Sequence, residues 1–155
     1  MAKPLDKVTV AQNRKARHNY TITDTLEAGL VLHGTEVKSL RAGRANIRDA
    51  YATEKDGEIW LLNAHIEEYK MGNRNNHQPL RHRKLLLKKR EIKKLIGLTA
   101  TKGATLVPLE LFFNERGIAK IIIGIATGKK QHEKREAEKE RDWKRQQAVL
   151  MKNNM

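Results

Sequence analysis

Polar and hydrophobic residues alternate along much of the first 127 positions with the two-residue period of strands. In residues 18–23, Tyr20 and Ile22 share one side and predict a strand; residues 26–33 predict a second. Gly29 inside that second run marks a bulge or a close backbone approach. Residues 47–53 read as a strand, Asp56-Gly57 as a two-residue hairpin turn, and residues 58–63 as the returning strand, with Ile66 and Tyr69 prolonging the sheet. Further on, Val107, Leu109, Leu111 and Phe113 alternate with Pro108, Glu110 and Phe112. The chain turns at residues 114–117, and Ile121, Ile123 and Ile125 alternate with Lys120, Ile122 and Gly124. This predicts a hairpin with one face in a core and an edge or bulge at Pro108.

Two segments break the strand period. Thr35 can cap a short helix beginning at Glu36, with Val37 and Leu40 on one face, Lys38 and Arg41 on another, and Gly43 as the stop. That helix reads as closing one end of a barrel, its charges solvated. Ile92, Leu95 and Ile96 fit a second helix face that ends at Gly97. Residues 70–78 form a polar loop. Short strands, short helices and glycine-punctuated turns predict a mainly β fold: a small closed barrel of the oligonucleotide-binding type with short peripheral helices.

The last 28 residues, 128–155, have another character. They carry nine Lys/Arg against five acids, and from Lys129 to Ala148 the only apolar residues are Ala137, Trp143 and Ala148. Helix formers dominate, yet Trp143 and Leu150 are the only large pair on one stripe. That is too little apolar area to offset the ordering entropy, so the tail is expected to be loose alone and helical against a partner. The expected division is a flexible basic start over 1–12, a barrel over 13–127 and a basic tail over 128–155.

Charge narrows the function. The net charge is +14, of which the tail holds +4 and the remainder of the chain +10. Such a balance points to a polyanion, nucleic acid first and an anionic membrane surface second. Residues 81–94 hold eight cations and one acid, which favours a polyanion surface over a merely solvated helix. No run is long and apolar enough to span a bilayer, and the first residues lack an apolar h-region. There is no Cys, so thiol chemistry is absent and a cytoplasmic location is expected. The histidines lack zinc spacing and the phosphate-loop pattern is missing. Ser39, the only Ser, has no nucleophile-elbow context. Adjacent Glu67 and Glu68 point to opposite faces on a strand. No enzyme, metal or cofactor is expected; a general single-strand binder or a nuclease whose carboxylates converge only in three dimensions stays open.

Five blocks occur in order: residues 13–20 (NRKARHNY), 27–30 (EAGL), 34–41 (GTEVKSLR), 83–87 (RKLLL) and 128–135 (GKKQHEKR). Together they resemble the bacterial SsrA-binding protein family over nearly the whole chain. The resemblance implies an oligonucleotide-binding barrel that binds the tRNA-like domain of transfer-messenger RNA (tmRNA, SsrA RNA) and delivers it to stalled ribosomes for trans-translation. It implies that Asn13, Arg14, Lys15, Arg17, His18, Glu27, Arg83, Lys84 and Leu86 meet tmRNA. Glu27 would accept hydrogen bonds from a base or 2′-hydroxyl, and Leu86 would pack on an unstacked base. It also implies a tail that enters the empty mRNA channel at the decoding centre. There Lys129, Lys130, His132, Glu133, Lys134, Arg135, Lys139, Arg141 and Trp143 would contact the ribosome. Glu133 departs from the family's usual Asp, keeping the charge with a longer reach. Elongation factor Tu with alanyl-tmRNA is an implied indirect partner, no membrane is expected, and the protein is expected to be a monomer.

Overall fold

The computed structural model describes residues 7–71, 76–128 and 131–153. Among the described residues nine strands and four helices follow one another: β1 (Val8–Gln12), α1 (Arg14–Asn19), β2 (Tyr20–Leu30), α2 (Gly34–Arg41), β3 (Ala45–Asn46), β4 (Tyr51–Lys55), β5 (Glu58–Leu62), β6 (His65–Ile66), β7 (Arg83–Leu86), α3 (Lys89–Lys102), β8 (Thr105–Phe113), β9 (Ala119–Gly128) and α4 (Gln131–Asn153). Strands pair in the order β8-β4-β5-β7-β2-β9, and β9 pairs back onto β8, which closes the ring. The described pairs of this ring are antiparallel. The expected mainly β closed barrel is therefore present. The start is ordered earlier than the sequence suggests: β1 pairs with β8, with Val8 opposite Phe113, so the barrel gains a strand before Asn13.

One core fills the ring. Ala28, Ile59, Leu61, Leu85, Leu106, Leu111, Ile121, Ile123 and Ile125 point inward, and Leu40 of α2 with Ile92 and Leu95 of α3 join the same cluster. The single continuous β2 replaces the two strands expected over 18–33, because the irregularity between Ile22 and Asp24 absorbs one residue without ending the pairing to β9. Residues 47–50 leave the strand pattern; only β4 remains there, and Asp56 and Gly57 (φ 54° and 79°) turn it into β5 as predicted. Helix α3 passes through Gly97 and stops at Gly103, which is left-handed (φ 61°). Residues 72–75 of the polar loop lie outside the described residues.

The β8–β9 hairpin forms, with an inversion that alternation did not reveal. A bulge lies between Pro108 and Glu110. One extra residue flips every later side chain to the other face. Leu106 before the bulge and Leu111 and Phe113 after it therefore share the inner core. Val107 and Leu109 instead form a small outer cluster with Ala16 and Ala126, flanked by Tyr20, Ile22 and Ile122. That outer cluster is the seat of α1.

Candidate nucleic-acid interface

The first basic block is built on the bulge. The backbone N–H of Asn13 donates to the Leu109 carbonyl at 2.9 Å, and its Nδ2 donates to the carbonyls of Pro108 (3.1 Å) and Ile47 (3.4 Å). The bonds to Leu109 and Pro108 occupy carbonyls at the bulge, and the bond to Ile47 ties the turn after β3 to the same residue. Ala16 buries itself in the outer cluster, so the remaining positions of α1 face out: Arg14, Lys15 and Arg17 are exposed and His18 is half-buried. Asn13, expected to meet RNA, is 7% exposed, and its side chain seats α1.

A second cluster lies further along the barrel. Leu86 pairs with Gly29, and Gly29 pairs with Lys120. Trp60 pairs with Lys84, and the same register carried on by two residues sets Glu58 beside Leu86. An acid, an apolar side chain, a bare glycine and a cation thus form one row across β5, β7, β2 and β9. An open groove of about 560 Å³ runs over this row, lined also by Glu27, Lys84, Lys88 and Glu91. Leu86 is 52% exposed at its floor. A Cβ at Gly29 would lie 3.2 Å from Leu86 Cβ, so the missing side chain gives Leu86 its place. Lys84 Nζ lies 3.7 Å from Glu58 Oε1. The Glu91 carboxylate caps α3 by accepting from the Lys88 N–H at 3.0 Å. Among the described residues Glu27 has no ion-pair or hydrogen-bond partner of its side chain and is exposed to the groove.

Arg83 stands next to Lys84 in sequence but not in this groove. Both Arg83 and Glu36 have fully buried side chains. Arg83 Nε donates to Glu36 Oε2, Nη1 to the Ala64 carbonyl (2.7 Å) and Nη2 to the Pro79 carbonyl (3.0 Å). Arg81 Nη2 donates to Glu36 Oε1 at 2.6 Å, and the His33 N–H donates to the same oxygen at 2.8 Å. Burial pushes the Glu36 carboxyl up, but the bonds from Arg81, the His33 N–H and Arg83 outweigh it and hold the group below its ordinary value. Arg83, expected to meet RNA, therefore fixes α2 and the β6–β7 connection: each nitrogen of its buried guanidinium donates within the protein. Its alternation with Leu85, also buried, is the sequence signal for the core face.

The predicted residues thus fall into two clusters rather than one. Tyr20 at the α1 end and Glu27 in the groove are seven strand steps apart, about 23 Å at about 3.3 Å per residue. Lys120 and Glu58 also line the groove; in the sequence the one reads only as the polar partner in a strand alternation and the other only as the residue after a hairpin turn.

The predicted tail residues from His132 to Trp143 belong to α4. Lys139, Arg141 and Trp143 are exposed, and Arg141 Nη2 donates to His18 Nδ1 at 3.2 Å. The side chains of His132, Glu133, Lys134 and Arg135 lie outside the described residues, as do Lys129 and Lys130 entirely.

Comparison with known proteins adds to this geometry. A family model described as SmpB protein matches residues 10–153. An SsrA-binding protein of Chelativorans sp. is 60% identical over 152 residues, covering 98% of each chain. One from Agrobacterium fabrum is 60% identical over 145 residues, covering 94% of this chain and 91% of its own. Among solved structures, a chain from "tmRNA-SmpB: a journey to the center of the bacterial ribosome" superposes with a TM-score of 0.65 at 52% identity. That match covers 77% of this chain and 84% of the other.

Proposed function

This chain belongs to the SmpB protein family, and we propose on that premise that it binds tmRNA and acts with it on stalled ribosomes in trans-translation. The observation that carries the reading is the groove over Gly29 and Leu86. Its floor is an exposed leucine, its rim has cations at Lys84 and Lys120, and its carboxylate at Glu27 can only accept hydrogen bonds. A pure phosphate-binding surface has no use for the acid. Base N–H groups and 2′-hydroxyls of a folded RNA do, and an unstacked base covers the leucine. The cations supply salt-sensitive affinity for any RNA, and the groove supplies preference for one shape. The protein acts here by binding, not by catalysis, and the partner in the groove is the tRNA-like domain.

The α1 block and α4 form the other working part. Arg14, Lys15, Arg17 and His18 share their end of the barrel with Arg141 of the tail. We assign the cations of α1, like the groove, to tmRNA and α4 to the ribosome, where it enters the empty mRNA channel at the decoding centre and its cations meet ribosomal RNA phosphates. Elongation factor Tu with alanyl-tmRNA is the indirect partner, and one copy of the chain suffices.

Two measurements test this. Labelled tRNA-like domain of tmRNA is challenged, at one near-physiological salt, with elongator tRNA and with random single-stranded RNA. The expected result is that the random RNA competes only in large excess; equal competition by all three removes the shape-reading groove. Removal of residues 128–155 is expected to leave tmRNA affinity nearly intact and abolish peptide tagging on stalled ribosomes. Equal loss of both activities defeats the division of labour.

A further inference from the structure

We infer that Glu58 is a specificity-determining residue of the groove, holding Lys84 back from unselective phosphate binding; the inference rests on the RNA-binding reading above. Lys84 and Leu86 point outward from β7 at positions two apart, so the cation sits beside the apolar floor. Unpaired, a lysine there takes the phosphate of any strand that lies across Leu86. Glu58 prevents this in two ways. Its carboxylate lies 3.7 Å from Lys84 Nζ, with both side chains a little over one-third exposed. It also sets a negative charge at the Leu86 end of the row, opposite to Lys120 at the other end. Phosphate is repelled from one end and attracted to the other, which fixes the direction in which a backbone can cross. An RNA that offers N–H or hydroxyl donors to Glu27 and Glu58 escapes the penalty; a strand that offers only phosphates does not.

The carboxylate is well suited to that task because the fold does not need it. Among the described residues its only charged partner is Lys84, whereas Glu91, in the same groove, is committed to capping α3. Removing the charge at Glu58 changes recognition without disturbing an internal bond.

The test is direct titration of the full-length chain with two probes, the tRNA-like domain of tmRNA and a random single-stranded RNA, at several salt concentrations. Glu58→Gln is expected to tighten the random RNA by about twofold to fivefold, the range of an exposed ion pair. It should leave the tRNA-like RNA unchanged or weaker, so that the preference narrows. The salt slope for the random RNA is expected to steepen by about 0.7, one added phosphate contact on a single strand. In Glu58→Gln with Lys84→Met the gain and the added slope should vanish. Glu115→Gln, on the exposed β8–β9 turn, removes the same charge elsewhere. An equal gain there, a gain that survives Lys84→Met, or no gain in Glu58→Gln while the wild type prefers the tRNA-like RNA each overturns the inference alone. Absence of preference in the wild type overturns the groove reading and this inference with it.

Discussion

Strand β7 carries two adjacent cations that share a backbone and little else. Arg83 points into the barrel and is fully buried against Glu36; Lys84 points out and lies 3.7 Å from Glu58 with about a third of its side chain in water. Both are cation–carboxylate pairs, but the surroundings give them opposite uses. Inside, the low dielectric makes an unpaired charge costly, so each of the three Arg83 guanidinium nitrogens finds an acceptor and the pair locks α2 to β7. Outside, water and salt weaken the pair, so Lys84 can be released to an RNA at little cost. A buried pair of this kind determines where the surface is, and an exposed pair determines what the surface admits.

The largest effect comes from breaking the inner pair. Arg83→Met leaves Glu36 buried with fewer donors and is expected to cost about 3–5 kcal/mol of stability in urea unfolding. tmRNA affinity per folded molecule should not change; a selective loss of affinity in a fully folded variant would return Arg83 to the interface. The same pair gives an acid dependence with a definite sign. The folded Glu36 carboxyl titrates below its ordinary value of 4.5, so its contribution is fully present above that pH and is lost as pH falls through the lowered folded value. The stability gap between wild type and Glu36→Gln is therefore expected to shrink on acidification below about pH 4.5. A gap that stays constant through that window would mean the carboxyl is not held ionised by its donors.

Leu86 provides the intermediate effect, and on the opposite observable. Leu86→Ala removes an exposed side chain, so the unfolding midpoint should barely move. Loss of the leucine's apolar cover on a base costs about 1–2 kcal/mol of RNA affinity, the scale of burying part of one aliphatic side chain. The two substitutions on one strand, three residues apart, should therefore separate cleanly: one changes stability and the other changes binding. If Leu86→Ala leaves tmRNA affinity intact, the groove floor does not carry a base.

That separation also explains what could be read before the structure was known. The β8–β9 hairpin, the Asp56-Gly57 turn and the charge balance are local or compositional, and they were legible. The bulge at Pro108–Glu110 was legible as a proline irregularity, but not its consequence, because the face switch depends on pairing with β9. Arg83 was legible only in part: arginine is almost never fully buried without a partner, and Glu36 is 47 positions away. Helix α1 has six residues, mostly charged or polar, and gives no amphipathic signal beyond Ala16. The row from Glu58 to Lys120 crosses four strands, and no single stretch of sequence contains it. The two ends of the site likewise emerged only when β2 ran unbroken from Tyr20 to Leu30.

The smallest expected effect sharpens the comparison furthest, because it concerns two exposed lysines in the same groove. Lys120 ends the row beside Gly29, and among the described residues it has no acidic partner; Lys84 faces Glu58. A charge that is already partly neutralised releases fewer counterions when a phosphate arrives. Lys120→Met should therefore flatten the salt dependence of random-RNA binding by about 0.7, and Lys84→Met by clearly less. Paired titrations of the two variants over a range of salt measure the difference. Equal flattening would mean that Glu58 exerts no hold on Lys84 in water, and that the exposed pair, unlike the buried one beneath it, is a contact without consequence.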